Sequence, residues 1–132
     1  MRTFLLLGAI NAFVAVALGA FGAHELRNHV PIERIATWNT GAQYQMYHAL
    51  GLILIAALYD RLPIKGQGLA RTAGYLFAAG CVIFAGSLYA LTLSGVKILG
   101  AITPIGGVCF LSGWVLLTVA AASLTVSPPS SE

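Results

Sequence analysis

The sequence predicts an all-α integral membrane protein, an antiparallel bundle of four transmembrane helices, and three observations lead to this fold class. Hydrophobic residues make up 58% of the 132-residue chain and charged residues only 8%, whereas a soluble domain carries roughly a quarter charged residues. Four apolar segments each approach the roughly 20 residues that a helix needs to cross a bilayer. These segments also lack the polar faces that helices of a soluble bundle present to water.

The first predicted span covers residues 3–23 and contains no charged residue. Asn11 is its one strongly polar side chain, and we expect it to form a hydrogen bond between helices. Small residues recur in this span at the four-residue spacing that lets two helix backbones approach each other in lipid. With two glycines of the fourth span, they give the predicted helix-packing set: Gly8, Asn11, Ala15, Gly19, Gly22, Gly106 and Gly113.

The same segment has a second interpretation as a signal peptide. Arg2 precedes the apolar run, and Ala20-Phe21-Gly22 has the small-x-small pattern of a cleavage site. However, the apolar run is longer than the 7–15 residues usual for a signal peptide. We therefore predict that the first helix is retained.

A polar stretch, residues 24–40, separates the first two spans. Pro31 is suited to open a helix there, because its fixed φ and missing N–H fit a first helical position. That helix would either lie at the membrane interface, with Trp38 at headgroup level, or extend the second span. The second span, residues 41–59, is polar in its first half and purely apolar from Ala49 to Tyr59.

The remaining spans are predicted at residues 72–93 and 98–122. Residues 60–71 contain Pro63, Gly66 and Gly68 with three basic residues, which indicates a flexible turn. The loop at residues 94–97 is so short that the third and fourth spans must be antiparallel neighbours. Residues 127–132 are rich in serine and proline and are expected to be disordered. The chain is thus predicted to be one domain, residues 1–126.

Charge and motifs exclude several classes of function. The seven basic residues are scattered singly, so no basic patch suited to nucleic acid is present. The four acidic residues, Glu25, Glu33, Asp60 and Glu132, fall in loops or the tail, and no catalytic signature occurs. We therefore predict no enzymatic activity, no cofactor and no nucleic-acid partner. The expected partners are the lipid bilayer and either other membrane-protein subunits or a second copy of the chain.

The cysteines and two of the histidines have ordinary interpretations. Cys81 and Cys109 lie inside apolar runs and are expected to be packing residues. His24 and His29 lie near the end of the first span, but a zinc site would need further ligands. No metal site is predicted.

His48 is the only ionisable residue expected well inside the membrane. On a helix it shares a face with Tyr44 and Gln45. One interpretation is that Gln45 and His48 hydrogen-bond to neighbouring helices and hold the bundle together. The others are binding of a headgroup or small ligand, or ligation of a metal or haem.

The basic residues favour termini in the cytoplasm. Arg2, Arg61, Lys65 and Arg71 lie on the side of the termini, against Arg27, Arg34 and Lys97 on the other, and basic residues prefer the cytoplasmic side. In that orientation the polar side chains of the spans concentrate in the outer half. We expect a polar cluster or shallow cavity that opens outward, with His48 near its floor; its candidate residues are His24, Tyr44, Gln45, His48 and Tyr89.

Three segments resemble the signatures of a known bacterial family. They are Gly19–Leu26 (GAFGAHEL), Trp38–Leu50 (WNTGAQYQMYHAL), and Pro104–Gly107 followed by Phe110–Trp114. The family is catalogued as domain of unknown function 423, and the resemblance extends from Phe4 to Ala122. It implies an uncleaved first helix and four spans in a bacterial inner membrane, and it implies no activity. Gly41 departs from the family pattern, in which alanine is expected.

Three hypotheses for the function follow. The first is a non-enzymatic accessory or stabilising component of the membrane. The second is a binder or carrier of a lipid, quinone or other small ligand that uses the outer polar cluster. The third, a membrane-embedded enzyme or haem protein, has no motif in its favour.

Overall fold

Four long helices make up the part of the chain that the computed structural model describes, residues 1–124. They are α1 (Arg2–His24), α2 (Ile32–Leu58), α3 (Ile64–Ser94) and α4 (Thr103–Ala122). Short 3-10 turns connect them, and no strand occurs within residues 1–124. The predicted all-α bundle is therefore confirmed. The predicted disordered tail, residues 127–132, lies outside the described residues.

Three helical segments are long and apolar enough to cross a bilayer, namely Arg2–Asn28, Ile64–Ser94 and Lys97–Ala122. α2 is 27 residues long, but polar side chains such as Gln43 and His48 lower the hydropathy of its first half. It packs between α1 and α3 as a member of the same bundle. The bilayer boundaries of the four predicted spans remain predictions.

The centre of the bundle is formed by α2 and α3. Leu52 and Phe77, one from each helix, are fully buried there, and Ile55 is 2% exposed. α1 packs mainly along α2, and α4 packs mainly along α3. The two peripheral helices, α1 and α4, therefore each pack on one helix of the central pair.

Glycines create the close contacts between these helices. At Gly8 of α1, an added Cβ would lie 2.7 Å from Ile53 Cγ1 and 2.8 Å from the Ala49 carbonyl oxygen of α2. At Gly106 of α4, it would lie 2.5 Å from the backbone nitrogen of Phe84 in α3. Elsewhere a glycine faces an aromatic ring of the neighbouring helix; the pairs are Gly22–Trp38, Gly41–Tyr89, Gly51–Phe77, Gly74–Phe4, Gly80–Phe110 and Gly113–Phe77.

Of the two alternatives for the stretch before residue 41, the structure bears out one, and it contradicts the predicted turn at residues 60–71. α2 begins immediately after Pro31, so the stretch before residue 41 extends the second helix and is not a separate interfacial one. The prediction of a flexible turn at residues 60–71 is wrong, because α3 already begins at Ile64 after Pro63. Gly66, taken as a turn residue, packs on α4 instead, where an added Cβ would lie 2.7 Å from Ser123 Oγ.

The connection from α3 to α4 is short, as predicted. α3 ends at Ser94, and Gly95 takes a left-handed conformation with φ of 71°, which glycine adopts without steric cost. A 3-10 turn, Lys97–Ala101, then leads into α4, and Pro104 lies in the first turn of that helix.

Candidate functional site

Gln45 of α2 joins three helices through its side-chain amide, and only 7% of the residue is exposed. Its Nε2 donates to Asn11 Oδ1 of α1 at 2.9 Å, and its Oε1 accepts from the Tyr89 hydroxyl of α3 at 2.7 Å. Asn11 in turn donates from Nδ2 to the Leu7 carbonyl oxygen at 2.9 Å. We call these hydrogen-bonded side chains, Asn11, Gln45 and Tyr89, the Gln45 network.

His48, one turn further along α2, contacts α3 and α4 and is 4% exposed. Trp114 of α4 donates from its indole nitrogen to His48 Nε2 at 3.0 Å. Because an indole N–H only donates, Nε2 must accept, and the proton of the neutral ring lies on Nδ1. His48 Nδ1 then donates to the Tyr44 carbonyl oxygen at 2.7 Å. Both ring nitrogens are therefore engaged within the protein.

The His48 ring is also fixed by stacking. It lies parallel to the Phe110 ring of α4, with centroids 3.4 Å apart and planes 6° apart. Phe77 of α3 contacts it at a centroid distance of 5.2 Å and an angle of 64°. This arrangement holds the imidazole rigidly between α3 and α4.

The other buried polar groups are satisfied in the same manner. Ser87 and Thr103 share a hydrogen bond of 2.6 Å between α3 and α4. The Thr92 hydroxyl donates to the Leu88 carbonyl oxygen at 2.8 Å. Within residues 1–124, no buried side-chain nitrogen or oxygen lacks a partner. Ser87 and Thr103 thus connect two helices, Thr92 is satisfied within α3, and no buried side-chain polar atom of the described residues is left without a partner.

A groove of about 490 Å³ lies between α2 and α4 beside His48. We call it the His48 groove and define it by Tyr44, His48, Phe84, Phe110, Leu111 and Trp114; Tyr47 and Gly107 complete its lining. Phe84 reaches it from a π-helical turn of α3, Cys81–Ala85, a local irregularity that is frequent at functional sites.

A second groove of about 450 Å³ continues along the same side of the bundle. We call it the Arg61 groove and define it by Leu54, Leu58, Arg61, Trp114, Thr118 and Leu124. Trp114 lines both grooves and separates them. The contact between α2 and α4 is therefore open over most of its length.

In the structure, the residues of the predicted cluster belong to two separate hydrogen-bonded groups. Gln45 and Tyr89 belong to one network, and His48 belongs to a second with Trp114. Tyr44 is 40% exposed and lines the His48 groove, whereas His24 is exposed at the end of α1. The expectation that His24 joins the cluster is wrong.

The expected shape of the cavity is also wrong. The His48 groove is rimmed by side chains exposed on the flank of the bundle, including Tyr47 and Leu111. It therefore opens on the flank of the bundle and not at one of its ends. Its lining is almost entirely apolar and aromatic.

The predicted packing residues occupy several different kinds of position. Gly8 and Gly106 face the backbone of a neighbouring helix, and Gly22 and Gly113 face aromatic rings. Ala15 is buried, and Asn11 is part of the Gln45 network. At Gly19, however, an added Cβ would lie 4.0 Å from the Ala42 Cβ, an ordinary contact. The close approach expected at Gly19 is absent.

The sequence reasoning missed Trp114, Phe110 and Arg61. A tryptophan in mid-span carries an N–H that must find an acceptor. This signal indicates that Trp114 has a partner but does not identify His48 as that partner. Nothing in the local sequence indicates the gap between α2 and α4.

Comparisons with known proteins find relatives that are named as membrane proteins. The profile of a family described as "Protein of unknown function (DUF423)" matches residues 18–107. UPF0382 membrane protein YwdK of Bacillus subtilis (strain 168) is 54% identical over 121 residues, which cover 92% of this chain and 97% of that protein. UPF0382 membrane protein SAB0533 of Staphylococcus aureus (strain bovine RF122 / ET3-1) is 44% identical over 120 residues, or 91% and 95% of the two chains. No solved structure matches.

Proposed function

Since this chain belongs to the DUF423 family of membrane proteins of unknown function, we propose a role based on its geometry. The protein is a non-enzymatic accessory component of the membrane that docks a transmembrane helix of a partner protein. The docking site is the His48 groove. The single observation that supports this proposal is an aromatic groove, open to the side, in a bundle whose buried polar side chains within residues 1–124 all have hydrogen-bond partners.

The lining of the His48 groove suits a protein partner. Tyr47 is 48% exposed and Leu111 is 70% exposed, and tyrosine and tryptophan are enriched where proteins meet. In the groove wall, an added Cβ at Gly107 would meet nothing within 4 Å. A small residue at such a position lets the backbone of a partner helix approach closely.

A neighbouring polar group supports the same role. Gln43, on the second helix beside Tyr44 and Tyr47, is exposed. An amide on the outer surface of a membrane helix is costly in lipid, and interhelical hydrogen bonds relieve that cost. A partner helix in the groove would lie beside this amide.

The geometry of His48 argues against chemistry at this site. A general base or a metal ligand needs a free nitrogen lone pair, whereas Trp114 already donates to Nε2 and Nδ1 carries the proton. Within residues 1–124, no group of three or more His, Cys, Asp or Glu side chains could hold a metal ion. A binding role therefore fits the residues better than a catalytic one.

Photo-crosslinking in living cells tests the proposal. A benzophenone amino acid is placed at Tyr47 or Leu111 in the His48 groove, and the matched control is Val82 of α3. Val82 is 74% exposed but lines neither groove. We expect one discrete protein adduct from both groove positions, identified by peptide sequencing as the same membrane protein, and none from Val82.

Two results would contradict docking of a partner. Adducts of lipid alone at Tyr47 and Leu111 would leave the groove without a protein occupant. Equal protein adducts at Val82 would indicate unspecific encounters. An adduct of twice the mass of this chain would identify the partner as a second copy.

A second candidate function is binding of a flat apolar ligand, such as a quinone. It is favoured by the rings of Tyr44, Phe84, Phe110 and Trp114, which surround one groove. Organic extraction of the purified protein, followed by mass spectrometry, would reveal a stoichiometric ligand. That ligand should be lost when Gly107→Phe fills the groove.

We further propose that the protein lies in the inner (plasma) membrane of a bacterium with both termini in the cytoplasm. The four basic residues predicted on the side of the termini support this orientation. A reporter that is active on only one side of the membrane, fused after Glu132, measures it directly. A signal from outside the cell would reverse the orientation.

A further inference from the structure

The Arg61 groove is distinct from the proposed docking site and has its own chemistry. Its walls are apolar, with Leu54 and Leu58 on α2 facing Leu117, Ala121 and Leu124 on the α4 side. Among the lining residues within positions 1–124, the one hydroxyl is that of Thr118, which donates to the Trp114 carbonyl oxygen at 2.9 Å. Arg61 is the only charged residue among the same described lining residues. The groove is therefore a hydrocarbon surface with a single cation at one end.

The length of this groove matches one leaflet of a bilayer. From Trp114 to Leu124 it follows about ten residues of chain, or about 15 Å at the rise of an α-helix. The hydrocarbon core of a bilayer is about 30 Å thick, so each leaflet contributes about half of that. Trp114 closes the groove at its deep end, where its ring lies 4.7 Å from that of Phe77 and its N–H bonds to His48.

Arg61 is held at the shallow end by its local structure. It ends a 3-10 turn, Tyr59–Arg61, directly after α2. Leu62 is only 9% exposed and anchors the chain that follows, and its backbone N–H donates to the Tyr59 carbonyl oxygen at 3.1 Å. Asp60, Arg61 and Lys65 are exposed, as expected for residues at the membrane surface. Because the second span is predicted to end at Tyr59, we expect the guanidinium at the level of the lipid headgroups.

We propose that the Arg61 groove binds one acyl chain of an anionic phospholipid, whose phosphate pairs with the Arg61 guanidinium. Arginine suits this task, because its planar fork binds phosphate oxygens through two hydrogen bonds and keeps its charge. The acyl chain covers the leucines that the gap between α2 and α4 leaves exposed. The lipid comes from the leaflet on the side of the Arg61 turn.

Native mass spectrometry tests this proposal on the full chain. The protein is reconstituted in nanodiscs that contain equal amounts of phosphatidylglycerol and phosphatidylcholine, then released into the gas phase. We expect a retained lipid in a one-to-one ratio, with phosphatidylglycerol favoured. Arg61→Gln should weaken retention of phosphatidylglycerol about fivefold, as expected for one basic residue near a membrane surface. It should weaken retention of phosphatidylcholine less, because the choline cation already offsets the charge of the same phosphate group.

Matched variants distinguish lipid binding in the Arg61 groove from general effects of surface charge and of an added large side chain. Lys65→Gln removes the same charge from the same surface but outside the groove, and it should preserve the preference for phosphatidylglycerol. Ala121→Trp fills the groove and should abolish retention of both lipids. Val119→Trp introduces the same side chain at an exposed position of α4 outside both grooves, and it should change nothing.

Three outcomes would overturn the proposal. They are equal retention of the two lipids by the unaltered protein, an effect of Lys65→Gln as large as that of Arg61→Gln, and lipid retention that survives Ala121→Trp. If Ala121→Trp fails to fold, as judged by helical circular dichroism, the comparison of Arg61→Gln with Lys65→Gln decides alone. The lipid-retention experiment does not depend on whether a partner helix docks in the His48 groove, so the two proposals can fail independently.

Discussion

α2 makes two very different contacts, a closed one with α1 and an open one with α4, and each contains a tryptophan. Trp38 lies in the closed contact, is 2% exposed and donates its N–H to the Leu18 carbonyl oxygen at 2.7 Å. Trp114 lies in the open contact, is 40% exposed and donates to His48. Both indoles are hydrogen-bonded. A satisfied tryptophan therefore does not by itself close an interface.

The positions of the glycines explain why α2 packs closely against α1 but leaves grooves against α4. Gly8 and Gly22 of α1 face α2 and admit its backbone or its rings. On α4, Gly106 and Gly113 face α3 instead, while Gly107 faces open space. Large side chains of α2, such as Tyr44 and Leu58, line the gap toward α4. Small residues thus determine which neighbour a helix approaches closely, and large residues leave grooves.

The largest expected effect comes from adding bulk to the closed contact. In Gly8→Ala, the new methyl group would lie 2.7 Å from Ile53 Cγ1 and 2.8 Å from the Ala49 carbonyl oxygen. Because the backbone cannot easily yield, we expect the overpacking to lower the free energy of unfolding by about 1–3 kcal/mol. Thermal or denaturant unfolding in a mild detergent, followed by circular dichroism, measures the change.

Two matched glycine variants sharpen this prediction. Gly19→Ala places a methyl group on the same helix 4.0 Å from the Ala42 Cβ, and Gly107→Ala places one in the open groove. Neither should destabilise the protein. A loss of stability in Gly19→Ala equal to that in Gly8→Ala would contradict the assignment of the close approach.

The second prediction removes the hydrogen bonds of the closed side. Gln45→Leu leaves Asn11 Oδ1 and the Tyr89 hydroxyl without their partner. Interhelical hydrogen bonds in membranes contribute from about 0.6 to about 2 kcal/mol each, so we expect a loss of about 1–2 kcal/mol. The measurement is the same unfolding experiment, extended to a double-mutant cycle with Tyr89→Phe.

The control for this variant is Gln43→Leu, which removes an exposed amide of the same helix. We expect no loss of stability in detergent, since no neighbouring helix of the bundle depends on it. Additive effects of Gln45→Leu and Tyr89→Phe would mean that the two side chains do not interact, which would disprove the Gln45 network.

The contact between α1 and α2 was easier to predict from the sequence than the contact between α2 and α4. The spacing of small residues indicated Gly8 and Gly22, because a helix that packs along one stripe repeats its contacts every four residues. The same stripe included Gly19, since a pattern does not reveal where two tilted helices diverge. Gly66 was misread as a turn residue, because a glycine that packs on another helix looks identical in sequence.

The open side depends on contacts between distant parts of the chain. His48 and Trp114 are 66 residues apart, and neither residue specifies the other without knowledge of how α4 is rotated. The grooves arise where side chains fail to interlock, which is a property of the assembled bundle. Polarity was more informative, because a polar side chain inside a membrane must find a partner. It singled out Asn11, Gln45 and His48 before their partners were known.

The smallest expected effect concerns the hydrogen bond that separates the two grooves. Trp114→Phe removes the donor to His48 Nε2 but keeps an aromatic ring near Phe77, which lies 4.7 Å from the indole. Because Trp114 is partly exposed, we expect a loss of only about 0.6 kcal/mol, the average for such bonds in membranes. Trp38→Phe, in the closed contact, should lower the stability more, since the Trp38 ring fills the space over Gly22.

The two variants also leave one tryptophan each. Acyl chains that carry bromine should therefore quench the fluorescence of Trp114 in Trp38→Phe and spare that of Trp38 in Trp114→Phe. Equal quenching of the two indoles would mean that the contact between α2 and α4 is as closed in the membrane as that between α1 and α2.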